Sequence, residues 1–124
     1  MDEKKVEFIE QIKRRTKDVA IRVVKMYREL PKQQEAWVIG KQILRSATSI
    51  AANYRAACRA RSAKEYYHKI SIVIEETDET LFWLEILVET DIFPESKLKS
   101  LMDEVNELLA IFSKSRQTMN NKKK

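Results

Sequence analysis

Few residues of this chain have the type and spacing that chemistry needs. The stretch EYYHK sets Glu65 and His68 three apart, the arrangement by which paired motifs in helical bundles hold two metal ions, each motif adding a histidine from its own helix. The chain has a single histidine. The second motif is therefore missing, no metal site is expected, and His68 reads as a surface or packing residue. Cys58 is also alone, which excludes an intramolecular disulfide and a cysteine zinc cage and fits a reducing cytoplasm. A nucleophilic pair with His68 is conceivable, but Cys58 falls toward the apolar side of its helix, where a thiol without an activating partner is inert. Carboxylates crowd from Glu75 to Glu95 without a Gly-rich loop or a convergent second element to make an acid and base of them. No phosphate loop or dinucleotide fingerprint is present. The chain is expected not to be an enzyme and to use no cofactor.

Charge is distributed more informatively. Between Lys41 and Lys64 there are six basic residues and no acidic one; between Glu75 and Glu95 there are eight acidic residues and no basic one. At about 100° per residue, Lys41, Arg45, Arg55 and Arg59 gather on one side of a helix, with Thr48 and Ala52 leaving the strip low between them. Gln42, Ser46, Ser49 and Asn53 lie at its edge as neutral donors and acceptors. Guanidinium groups match phosphate oxygens bidentately, so Lys41, Arg45, Arg55 and Arg59 are candidate nucleic-acid contacts, with Lys122 to Lys124 as an auxiliary tail. The competing reading pairs these cations with the acidic helix or with another subunit. Exposed ion pairs contribute only about 0–1 kcal/mol each, so pairing alone gives little reason to collect them.

These groups must be positioned by helices. A chain of 124 residues with one Gly and two Pro, 44% apolar and 35% charged, fits a single all-α domain. Ile9, Ile12, Thr16, Val19, Val23, Met26 and Leu30 recur at steps of three and four, predicting a helix over about 3–30 that Pro31 ends. Ile39, Ile43, Ala47, Ile50, Tyr54 and Ala57 predict a second over 35–60, with Gly40 and the alanines allowing close approach. Ser62 is the expected N-cap of a third over 63–91, with Glu65 in the capping-box position. Leu98, Leu101, Val105, Leu108 and Phe112 mark a fourth over 95–118, and residues 120–124 read as a disordered basic tail. Short turns between helices of similar length imply an antiparallel up-down-up-down four-helix bundle over residues 1–119.

The third helix carries a second apolar stripe: Ile72, Phe82, Trp83 and Ile86, interspersed with Glu75 and Glu79. A monomeric bundle needs one such stripe, so these four are candidate oligomer-interface residues. A net charge of +5 and a pI near 9.3 permit attraction to nucleic acid without demanding it. No apolar run approaches the roughly 18 residues of a membrane span. A cytoplasmic protein with no membrane partner is expected.

Gln42, Arg45, Ser46, Thr48 to Ile50, Ala52 to Arg55, Ala60 to Ser62, His68-Lys69 and the run ETLFWLE from Glu79 to Glu85 closely resemble the bacterial 23S rRNA-intervening sequence family, over nearly the whole chain. Its most specific part is Q-x-x-R-[SA]-x-x-S-I-x-x-N followed by E-T-x-x-W-L-E. The resemblance implies a left-handed antiparallel four-helix bundle that closes into a homo-oligomeric ring, a pentamer with a central channel. It also implies kinship with the accessory variability protein of diversity-generating retroelements, a basic ring thought to bind nucleic acid and a reverse transcriptase. Arg45 and Asn53 match the motif's polar positions and Ile50 its buried one, and no catalytic residue is carried over. Ala51 stands where Gly is usual and Ala56 where Glu is usual. The expected partners are further copies of the chain and RNA or DNA, with a protein-interaction module as the alternative.

Overall fold

The computed structural model describes residues 2–123, apart from the side chains of 122 and 123. Four helices account for nearly all of them: α1 (Glu3–Arg28), α2 (Gln34–Cys58), α3 (Ala63–Glu89) and α4 (Glu95–Lys123). No strand occurs among the described residues, and the chain is an all-α four-helix bundle. The boundaries follow local chemistry. Asp2 caps α1 by accepting from the Lys4 N–H at 3.0 Å, and Ser62 caps α3 by accepting from the Glu65 N–H at 3.0 Å. Glu65 returns a bond not to Ser62 itself but to the Arg61 N–H, 3.2 Å away, so the reciprocal cap sits one residue earlier than expected. α1 stops at Arg28, ahead of the expected end near Leu30, because the Glu29 and Leu30 N–H groups already tighten onto the carbonyls of Met26 and Tyr27. α4 runs on past 118. Of the expected 120–124 tail, Lys124 and the side chains of 122 and 123 lie outside the described residues.

Each helix packs on its chain neighbour, α1 also packs on α4, and the diagonal backbones stay apart. The seam between α2 and α3 is the most extensive and that between α1 and α4 the thinnest. Buried Ile12, Val19, Ile43, Ile50, Ile70, Leu84, Leu108 and Phe112 fill the centre, each large side chain stabilising by roughly 1.5–3 kcal/mol. Tyr54 reaches Phe112 across the middle at 5.5 Å between ring centroids. Gly40 sets the α1–α2 spacing: a Cβ there would stand 2.7 Å from Leu30 Cδ1 and 2.8 Å from the Tyr27 ring. Any side chain there would force Leu30 and the Tyr27 ring to shift, so the close approach favours glycine.

No described helix is long and apolar enough to cross a membrane.

Candidate nucleic-acid and subunit interfaces

Lys41, Arg45 and Arg55 stand exposed on α2, and Arg59 is exposed at its C-cap. The strip expected on one side of the helix divides into two kinds of cation. Arg45 turns toward α3, where Nη1 lies 3.2 Å from Glu76 Oε2 and Nη2 pairs with Glu79. Its Nε is 3.4 Å from Gln42 Oε1. Among the described residues, Lys41, Arg55 and Arg59 make no ion pair. The competing readings thus part company by residue: Arg45 serves the α2–α3 seam, and the other three point their charge at solvent.

The polar edge also differs from its expected form. Ser46 is fully buried, not at the boundary. Its hydroxyl meets that of Thr80 at 2.8 Å across the seam, with the carbonyls of Ile43 and Glu76 as further acceptors. A small hydroxyl is tolerated there because its partner is another hydroxyl on the facing helix. Asn53 folds back on its own helix, donating to the Ser49 carbonyl at 3.0 Å and lying 2.8 Å from Ser49 Oγ. Thr48 does likewise toward the Leu44 carbonyl at 2.6 Å.

On α3, Phe82 is 51% exposed, whereas Ile72, Trp83 and Ile86 are half-buried. Trp83 packs partly against the core, and its indole N–H donates to Glu79 Oε2 at 3.0 Å. Its ring meets Phe82 edge-on at 5.0 Å. Glu79 therefore holds Arg45 and Trp83 together, a link that sequence periodicity could not supply because it depends on which turn of α3 lies opposite Arg45. Periodicity also passed over Trp37 and Val38, 49% and 55% exposed near the start of α2, although both fall outside the stripe of buried positions.

Glu65 is engaged in the helix cap, and His68 is exposed. Cys58 sits half-buried in an apolar cavity of ≈ 520 Å³ at one end of the bundle, with Tyr54, Tyr66 and Phe112. Burial pushes its thiol up, against the smaller opposing pull of the Tyr54 hydroxyl and Lys13. That environment disfavours thiolate and hence nucleophilic attack. Among the described residues, no three of His, Cys, Asp and Glu converge to hold a metal.

The sequence matches the family described as 23S rRNA-intervening sequence protein over residues 4–114. Among solved structures, it is similar to a protein of unknown function from the S23 ribosomal protein family of Bacteroides thetaiotaomicron, at 33% identity and a TM-score of 0.79, covering 85% of this chain and 97% of that one. The comparison with curated proteins found no match.

Proposed function

Since this chain belongs to the 23S rRNA-intervening sequence protein family, we propose that it is a non-enzymatic, cytoplasmic bundle that closes into a homo-oligomeric ring and holds RNA or DNA without sequence preference. The working unit is residues 1–119, and its last helix carries on through Lys123 to add basic charge beyond them. An antiparallel up-down-up-down order is supported by the contacts between α1 and α4, where the earlier Arg15 meets the later Glu104 and the later Arg22 meets the earlier Ser100. Ile72, Phe82, Trp83 and Ile86 form one side of the subunit contact. The ring and its five-fold count rest on the family resemblance.

One observation carries the nucleic-acid reading: Lys41, Arg55 and Arg59 are exposed and, among the described residues, unpaired, on a helix with no acidic residue after Glu35. Phosphate is a strong partner for guanidinium, and such contacts release counterions. Arg45 is the reserve member, since its carboxylates would have to be left behind. The test is fluorescence anisotropy with labelled single-stranded RNA, single-stranded DNA and duplex DNA, at about 50 and about 200 mM salt. Binding should weaken steeply with salt. The triple variant Lys41→Glu/Arg55→Glu/Arg59→Glu should abolish it while leaving oligomer size unchanged, and Arg45→Glu should instead lower thermal stability. Failure of all three nucleic acids to bind at the lower salt sinks the reading. The alternative, a protein-interaction scaffold with no nucleic-acid role, draws on the unpaired carboxylates of α3 and predicts a co-purifying protein partner.

A further inference from the structure

The apolar stripe on α3 lacks a counterpart within its own bundle. α1 and α3 are not neighbours, and the exposed part of the stripe is acidic in its surroundings. At about 100° per residue, Glu75, Asp78, Phe82, Ile86 and Glu89 fall within about 80° of one another on the outer side of α3. Among the described residues, Glu75, Asp78 and Glu89 make no ion pair.

The outer face of α1 is its complement in both charge and shape. Between Lys13 and Arg28 there are seven basic residues and one acidic residue. Two of the basic residues turn to α4: Arg15 pairs with Glu104 and Glu107, and Arg22 bonds Ser100. Lys17, Lys25 and Arg28 make no ion pair among the described residues. They border a shallow depression of ≈ 320 Å³ floored by Ala20, Ile21 and Val24, with Ile21 44% exposed. Cations rim it.

We propose that the outer face of α1 is the socket for the Phe82 stripe of a second copy of this chain. Phe82 enters the depression over Ala20, and Lys17, Lys25 and Arg28 meet Glu75, Asp78 and Glu89 around it. The knob is held ready by its edge contact with Trp83, which is itself tied to Glu79, so little ordering is left to do on binding. Socket and knob lie on different helices. Every docked copy therefore still offers one of each, and such a head-to-tail contact is satisfied throughout only when the chain of copies closes on itself. The proposal rests on the oligomeric reading above and names the two faces that meet in its subunit contact.

The experiment is sedimentation velocity with light scattering on four full-length proteins, with circular dichroism to check folding. They are the wild type, the socket reversal Lys17→Glu/Lys25→Glu/Arg28→Glu, the knob reversal Glu75→Lys/Asp78→Lys/Glu89→Lys, and the combination of both. Each reversal alone sets like charges against one another and should weaken assembly on the order of hundredfold. The combination restores opposite signs and should recover the wild-type size, which also shows that the reversed chains fold. An oligomer that survives the socket reversal, or that the combination does not restore, overturns the proposal while leaving the oligomeric reading standing. Loss of nucleic-acid binding without loss of assembly in the socket reversal also overturns it. A wild type that is monomeric at all concentrations removes both.

Discussion

Arg15 shows what a single side chain can do when its partner lies on another helix. Its Nε and Nη2 reach the two oxygens of Glu104 at 2.9 and 2.7 Å, and Nη2 lies 3.2 Å from Glu107. These bonds hold the guanidinium more firmly protonated than usual and, led by the Arg15 hydrogen bond, hold Glu104 below the usual carboxylate range. A carboxylate whose folded pKa is depressed contributes stability that is present above its unfolded value of about 4.3 and is lost as pH falls through the folded value. Glu104→Gln should therefore cost about 1 kcal/mol near neutral pH, the scale of a partly exposed bidentate pair. Its deficit against wild type should shrink as the pH is lowered below 4. Urea melts at a series of pH values measure this, and a deficit that stays constant to pH 3 would contradict it. Arg15 and Glu104 are 89 positions apart, and nothing in the spacing of either one points to the other. By contrast, Ser62 could be assigned as a cap from the sequence because all its bonds are local.

At the scale of elements, the turn between α3 and α4 holds the only residue with a positive φ among the described residues. Asp91 has φ 60°, the left-handed conformation that closes a helix. The Ile92 N–H bonds the Leu87 carbonyl at 3.0 Å and the Asp91 N–H bonds that of Val88 at 3.1 Å, so the last carbonyls of α3 are satisfied by the turn itself. Ile92 packs against the core behind it. Asp tolerates this conformation better than most residues but less well than Gly. Asp91→Gly should raise stability by up to about 1 kcal/mol, read as a higher melting temperature, and a lower one would show that the Asp side chain matters more than its backbone. The existence and order of the helices were legible in steps of three and four, since burial imposes that rhythm on Val19, Ile50 and Leu84 alike. Helix ends were less so. α1 ends before Leu30 because a tightened last turn, invisible to periodicity, uses the same apolar residue as a lid. The strip on α2 was legible as a cluster but not as a divided one, because the side-chain reach of Arg45 to Glu76 and Glu79 is set by the height at which α3 passes.

Across the whole molecule, the four seams are unequal. α2 and α3 share the widest one, reinforced by the buried Ser46 and Thr80 hydroxyls and by Arg45. α1 is held closely by α2 at Gly40 but meets α4 along the thinnest seam, with Arg15 and Arg22 as its polar ties. A bundle built this way does not open all at once. Hydrogen exchange read by mass spectrometry should find the slowest amides in α2 and α3 and a faster, separately cooperative set in α1. Protection across α1 should fall first on acidification, as Glu104 protonates. Equal protection in all four helices would refute the hierarchy. The thin seam also links local opening to assembly: if the outer face of α1 is occupied by a neighbour, the helix that lifts most readily in a single copy is the one its neighbour clamps. Exchange in α1 would then report subunit dissociation, and dilution would loosen that helix while leaving α2, which takes no part in the contact, unchanged.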